Sequence, residues 1–125
     1  MIKIACIALG GALGALSRYG MGELVTKVTG SEFPWGTLLV NLVGCLLFGL
    51  LAGLAEQRIP LSEETRLFLM VGFLGAFTTF STFAFHSGLF AHEGQWGWAI
   101  ANILLSNVLG IALLLGGLLL GRSFS

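Results

Sequence analysis

Long uncharged apolar runs, separated by short charged segments, dominate the pattern along the chain. Four such runs are bounded by Lys3 and Arg18, Glu32 and Glu56, Arg66 and Glu93, and Glu93 and Arg122. A membrane-spanning helix needs about 20 mostly apolar residues, so the pattern predicts four spans joined by short links. The first run is too short to cross alone. The first helix must therefore continue through Arg18 toward Gly22, which puts an arginine inside a span or near its end.

We expect an all-α integral membrane protein in which residues 1–125 form a single four-helix transmembrane domain. The predicted helices cover 3–22, 34–55, 62–91 and 95–121. Pro34 suits a first helical turn, and Ser62 followed by Glu63 and Glu64 is typical of a capped helix start.

Composition supports this class, since 56% of the residues are apolar, 10% are charged and the mean hydropathy is +0.95. Such a chain is far outside the range of a soluble domain. Its net charge is zero, and it lacks the basic patch that nucleic acid requires, so we expect lipid contact and no nucleic-acid partner. The expected location is the plasma membrane, which is the inner membrane of a bacterium.

The distribution of cationic residues gives only a weak prediction of orientation. One side of the membrane would carry Lys3, Arg58, Arg66 and Arg122, and the other Lys27 with Arg18 near it. This mildly favours cytoplasmic termini and leaves insertion in both orientations open.

Small residues at every fourth position indicate tightly packed helices. The chain has 19 glycines, and the spacing occurs at Gly10 and Gly14, Gly49 and Gly53, and Gly117 and Gly121. Membrane helices approach closely at such positions. A bundle packed this way leaves no wide lumen, so a pathway is narrow or lies between subunits, and we expect a two-fold dimer.

Polar residues on two spans are candidates for such a pathway, because polar groups inside a membrane are costly. On the second helix, one face holds Thr37, Asn41, Gly44 and Phe48. On the fourth, Asn102, Ser106 and Gly110 share a stripe from which Asn107 is turned away. Hydrogen bonds between helices that merely hold the bundle together are the alternative for both sets.

The segment GAFTTFSTFAF, from Gly75 to Phe85, places four hydroxyls among four phenylalanines in the third span. Gly72, Gly75 and the two threonines make an interrupted helix possible there. At such a break the first half-helix would present carbonyls that suit a cation. The second would present N–H groups that suit an anion. The alternative is a continuous helix whose hydroxyls bond back to their own carbonyls.

Phenylalanines sharpen this prediction, since seven of the ten fall between Phe68 and Phe90. The edge of an aromatic ring is positive, so edges of Phe80 and Phe83 could solvate a small anion. A lipid-facing or core role is the alternative for these rings.

Arg18 favours an anion as the ligand, because all six acidic residues lie in predicted loops or helix ends. The alternative for Arg18 is snorkelling to the interface. His86 is either a proton-sensitive element or a satisfied histidine.

Together these residues resemble the Fluc (CrcB-type) fluoride channel family. The resemblance rests on GGALGALSRY in the first helix, PWGTLLVNLVG in the second and GFLGAFTTFSTF in the third, within a chain of family length. It implies passive export of fluoride through two pores in a homodimer whose chains insert in opposite orientations.

The resemblance also implies residue roles. Phe80 and Phe83 would contact fluoride, and Asn41 would be the pore amide. Further hydroxyls and amides of the pore would be Ser81, Thr82, Thr37, Ser106 and Asn102. A structural sodium ion would bind the backbone carbonyls of Gly75 and Thr78, and Arg18 would lie in a vestibule.

Two other functions compete with this interpretation. A small dual-topology multidrug exporter has the same length and glycine content, but it needs a buried carboxylate where this chain has Arg18. A structural subunit of a larger complex would use the polar residues only to hold helices together. We expect no enzyme, because no nucleophile, base and orienting group occur together in a pocket.

Overall fold

The computed structural model describes residues 1–57, without the side chain of Gln57, and residues 60–124. Within them, four helical spans are long and apolar enough to cross a membrane. The first helix is Ile2–Thr29 and the second is Trp35–Gln57. The third span is Glu63–His92 and the fourth helix is Trp96–Ser123. The prediction of an all-helical protein with four spans is confirmed. Arg58, used above to predict orientation, lies outside the described residues.

The third span is broken in its middle, as predicted. A first half-helix (63–77) ends at Phe77, and Thr78 and Thr79 then adopt extended conformations, with ψ angles of 157° and 113°. The second half-helix, Phe80–His92, begins directly afterwards. The glycines named in the prediction stay helical, and the interruption falls on the two threonines. Their β-branched side chains disfavour the helix, and the Thr79 hydroxyl caps the new start by accepting from the Thr82 N–H at 3.2 Å.

Two stretches wind more loosely than an α-helix, which the sequence did not indicate. Leu67–Leu74 in the first half-helix and Leu105–Leu109 in the fourth helix are π-helical. π-Helical segments are rare and occur frequently at functional sites. The first directly precedes Gly75, and the second contains Ser106, both of which were predicted site residues.

The first helix is longer than predicted, because it continues past Gly22 to Thr29. Neither Gly20 nor Gly22 has a positive φ angle, so both continue the helix. The helix ends where Gly30 takes up a left-handed conformation, with φ of 57°, and donates its N–H to the Thr26 carbonyl at 2.9 Å. Arg18 therefore lies well inside this helix.

Close backbone contact at glycines holds the spans together. A Cβ atom on Gly49 or Gly53 would overlap the backbone carbonyls of Leu114 and Leu118, and one on Gly117 would overlap that of Leu46. The second and fourth helices are thus in backbone contact. The first helix packs in the same way on the first half-helix, where Gly10 and Gly14 meet the carbonyls of Phe68 and Phe73.

Ion pairs and a side-chain cap also hold the ends of the spans. The Ser62 hydroxyl accepts from the Thr65 N–H at 3.1 Å, as expected for a helix start. Lys3 pairs with Glu63 at 3.0 Å, and Arg122 pairs with Glu56 at 2.8 Å. These bonds connect the first helix to the third span and the fourth helix to the second.

Candidate functional site

The broken third span is held from the second helix by Asn41. Its amide Nδ2 donates to the Thr79 carbonyl at 3.1 Å, and the Thr79 N–H donates to Oδ1 at 2.8 Å. In an unbroken helix that N–H would donate to the Gly75 carbonyl four residues earlier. One side chain thus satisfies both backbone groups of the residue at the break, and the Gly75 carbonyl is released from its helical partner.

The same break is held from the first helix by Arg18. The guanidinium Nε donates to the Ala76 carbonyl at 2.9 Å, one turn before Phe80. The end of a helix leaves carbonyls without intrahelical donors, and a cation placed there is favourable. Arg18 thus lies where the exposed carbonyls of the first half-helix are concentrated.

Hydroxyls are clustered at the start of the second half-helix. Thr79 Oγ1 donates to Thr82 Oγ1 at 3.0 Å and lies 3.4 Å from Ser81 Oγ. Thr78 Oγ1 instead bonds back to the Leu74 carbonyl at 3.0 Å. Three hydroxyls therefore form a connected group at the helix N-terminus, where N–H groups favour an anion.

A first pocket of about 420 Å³ lies beside the break. Its described lining residues are all uncharged, and its polar groups come from three spans. The predicted site residues among them are Asn41, Gly75, Thr78, Phe80, Phe83 and Ser106. The pocket therefore joins neutral donors, aromatic rings and the carbonyl-bearing end of a half-helix in one place.

The two phenylalanines at this pocket are in mutual contact. The ring centroids of Phe80 and Phe83 are 5.6 Å apart, and the planes are inclined by 56°. In the single chain, 78% of Phe80 is exposed, and many other large apolar side chains of the spans are exposed as well. This ring lies on the outer side of the pocket.

A second pocket of about 220 Å³ lies on the other side of the break, between the first two helices. Arg18, Glu23, Thr37, Thr79 and Thr82 are among its lining residues. Thr79 lines both pockets. The predicted vestibule arginine and two of the predicted hydroxyls are thus brought together, but in a different cavity from the phenylalanines.

The fourth helix differs from the predicted arrangement of its polar residues. Asn102 is 2% exposed and donates to the Ser87 hydroxyl at 2.9 Å, and it does not line either of these pockets. Asn107 lines the first pocket together with Ser106, although we expected it to be turned away. The π-helical stretch Leu105–Leu109 explains this, because its wider turn changes which residues share a face.

Two buried polar atoms have no hydrogen-bond partner within the described part of the chain. They are Oγ of Ser106 and Nδ1 of His86. Ser106 lines the first pocket, and its buried hydroxyl has no partner there among the described residues. His86 follows Phe83 by three residues on the second half-helix. Its ring centroid lies 5.8 Å from that of Phe85.

A metal held by side chains finds no support here. Across residues 1–57 and 60–124, no three His, Cys, Asp or Glu side chains come together as a metal site. Any cation at the break would need the backbone carbonyls.

Sequence reasoning missed Glu23 and the carbonyl of Ala76. Neither had a detectable signal in the sequence, because Glu23 follows Arg18 by five residues, not the three or four that make helix neighbours, and a backbone carbonyl has no signature.

Comparison with known proteins places these features in a family. A family model described as "CrcB-like protein, Camphor Resistance (CrcB)" matches residues 5–118. A protein of Desulforapulum autotrophicum is 47% identical over 120 residues, which are 96% of each chain. One of Solidesulfovibrio magneticus is 48% identical over 120 residues, again 96% of each chain. One of Agrobacterium fabrum is 46% identical over 123 residues, or 98% of each chain.

All three relatives carry the name "Fluoride-specific ion channel FluC". The family match and the relatives cover almost the whole chain, and residues 5–118 contain the break and the positions of Arg18 and Asn41. With its four apolar spans, this protein belongs to the CrcB-like family of multi-pass inner-membrane proteins.

Proposed function

We propose that this protein is a fluoride-selective channel that lets fluoride leave the cytoplasm passively. The relatives that match it from end to end are named as fluoride-specific ion channels and not as enzymes. The observation that carries the proposal is the uncharged pocket at the break, where Asn41, Phe80, Phe83 and Ser106 meet. A pocket without a carboxylate suits an anion and offers nothing to couple protons to a cationic drug.

The physical requirement is the replacement of water around a small, strongly hydrated anion. A selective pathway must supply many closely spaced donors and be too narrow for larger anions. The Ser106 hydroxyl, which has no partner among the described residues, and the second amide hydrogen of Asn41 would be such donors. Ring edges of Phe80 and Phe83 would add positive potential without adding charge.

The remaining predicted residues have different places in this proposal. Ser81 and Thr82 belong to the hydroxyl cluster at the start of the second half-helix. Thr37 and Arg18 line the second pocket, which we propose as the vestibule. Asn102 would support the pathway indirectly, through its bond to Ser87 on the second half-helix.

The functional unit in this proposal is a homodimer with two pores and chains in opposite orientations. The openly exposed Phe80 at the rim of the first pocket supports a second copy that covers it. The weak asymmetry of lysine and arginine along the chain supports insertion both ways.

A cysteine introduced at Ser31, with Cys6 and Cys45 replaced, tests the orientation. An impermeant maleimide should label about half of the chains in sealed inside-out membrane vesicles from the expressing cells, whereas complete labelling, or none, contradicts opposite orientations.

A structural sodium ion is the remaining part of the proposal. Gly75 and Thr78 both lie at the break and line the first pocket, and the Thr79 N–H donates to Asn41 and not to the Gly75 carbonyl. Oxygen ligands of this kind suit a hard cation, and two copies of the chain would double their number. The ion would hold the two broken spans together and would not be transported.

Efflux from proteoliposomes distinguishes this function from its rivals. Vesicles loaded with potassium fluoride, with valinomycin and no proton gradient, should release fluoride when the protein is present. A proton-coupled exporter would need the gradient, and a scaffold subunit would leave fluoride trapped. Either of those results would contradict the channel.

A further inference from the structure

The guanidinium of Arg18 is engaged with the backbone at the break. Its Nε donates to the Ala76 carbonyl at 2.9 Å, across a separation of 58 residues in sequence. In an unbroken helix the Phe80 N–H would be the donor to this carbonyl. Since Thr78 and Thr79 turn into extended backbone, the arginine takes the place of that donor.

The charge around Arg18 makes it a poor attractor of anions from a distance. The charged side chains among the described residues of the second pocket are Arg18 and Glu23, and their formal charges cancel. Opposite charges at one cavity leave little net field beyond about one Debye length, roughly 8 Å in physiological salt. What distinguishes Arg18 is therefore its bond to the break.

The bond at Ala76 complements the pair at Thr79. Arg18 holds the last turn of the first half-helix from one side, and Asn41 holds Thr79 from the other. The extended Thr78 and Thr79 lie between these two points, and Phe80 follows immediately. Fixing both ends of so short a segment fixes the direction in which the second half-helix begins.

We propose that Arg18 is a positioning residue, which acts through the Ala76 carbonyl to set the break and thereby the place of the Phe80 ring. The inference rests on the proposed fluoride channel. In that channel Arg18 is only a charged residue of the vestibule, and the inference adds a role for its hydrogen bond. The donor at Nε, not the positive charge, is the property of Arg18 that fluoride flux requires.

Two variants separate the donor from the charge. In Arg18→Gln the amide nitrogen occupies the position of Nε in the chain of bonds, so a donor is kept while the charge is lost. In Arg18→Met neither donor nor charge remains, although the length is similar. Both variants remove the same charge, so any difference between them reports the hydrogen bond.

The measurement is fluoride efflux from proteoliposomes at low and high ionic strength, alongside the wild type. Arg18→Gln should retain flux within about threefold, and Arg18→Met should lose about tenfold or more, as expected for one lost bond to a charged donor. Equal losses in the two variants, or wild-type flux in Arg18→Met, would overturn the proposal. If gel filtration shows that Arg18→Met does not assemble, the Arg18→Gln variant alone tests the proposal. An assembled Arg18→Gln protein that passes no fluoride also overturns the proposal.

Hydrogen–deuterium exchange gives a readout that does not depend on fluoride. Peptides covering 74–82 should exchange faster in Arg18→Met than in wild type, and at the wild-type rate in Arg18→Gln. Unequal efflux without this difference in exchange would contradict positioning. A wild-type protein that passes no fluoride would instead contradict the proposed function. Hydrogen–deuterium exchange would still test whether Arg18 positions the break.

Discussion

Asn41 and Thr79 are joined by two hydrogen bonds, of 3.1 Å and 2.8 Å, that connect the second helix to the interrupted third span. Asn41 also lines the first pocket. Structural and pore roles were alternatives for this residue on the basis of sequence. The geometry makes them compatible, because one amide group holds Thr79 and still has a second hydrogen to offer.

Replacing Asn41 with Asp tests this pair. The carboxylate could still accept from the Thr79 N–H but could not donate to the Thr79 carbonyl, and it would place a negative charge in an anion pathway. We expect fluoride flux to fall about tenfold or more and the free energy of unfolding to fall by about 1–3 kcal/mol. An efflux assay and thermal unfolding in detergent measure these effects.

Thr29→Val is the control for Asn41→Asp. The Thr29 hydroxyl bonds back to the Val25 carbonyl at 2.9 Å at the exposed end of the first helix. Its loss should leave flux and stability near wild type. Wild-type flux in Asn41→Asp would remove this residue from the pathway.

Phe80→Ile tests the ring edges. Isoleucine keeps an apolar side chain but has no positive rim, so we expect flux to fall while the dimer still assembles. The matched control is Phe85→Ile, five residues further along the same half-helix, which is also exposed and does not line the first pocket. Equal flux in the two variants, measured at equal protein density, would show that Phe80 has no special place in conduction.

The glycine contacts predict opposite effects at two adjacent positions. A Cβ on Gly117 would overlap the Leu46 carbonyl, whereas one on Gly116 meets nothing within 4 Å. Gly117→Ala should therefore destabilise the protein by about 1–3 kcal/mol through overpacking. Gly116→Ala should be neutral or stabilising. Melting temperatures in detergent that shift equally for both variants would contradict the close contact of the second and fourth helices.

Sodium removal tests the proposed structural ion. Replacing sodium with N-methylglucamine throughout purification and reconstitution should slow fluoride efflux and lower the fraction of dimer, because carbonyls of Gly75 and Thr78 would face each other without a cation. Returning sodium should restore both. Efflux and dimer fraction that do not respond to sodium would argue against the ion.

Features set by short stretches of sequence were predictable. The four spans follow from uncharged runs. The break was predicted from glycine and threonine in the middle of the third span, and it falls on the two threonines. Spacing alone also indicated that Gly49 and Gly117 lie at close contacts, because a four-residue repeat of small residues forms one flat face.

Features that depend on distant partners were not predictable. Arg18 finds the Ala76 carbonyl 58 residues away, and nothing in either segment identifies the other. Helical periodicity predicted that Asn107 is turned away from Ser106. The prediction was wrong because it assumes a constant 3.6 residues per turn, and the segment is π-helical. The first helix was predicted too short because its end was placed by the length needed to span a membrane, whereas Gly30 ends the helix after Thr29.

The most direct test of the account loads one preparation of proteoliposomes with both potassium fluoride and potassium chloride and follows both halides after valinomycin is added. An uncharged, narrow pathway at the broken third span predicts that fluoride leaves rapidly while chloride stays inside. Retention of fluoride, or release of the two halides at similar rates, would contradict it.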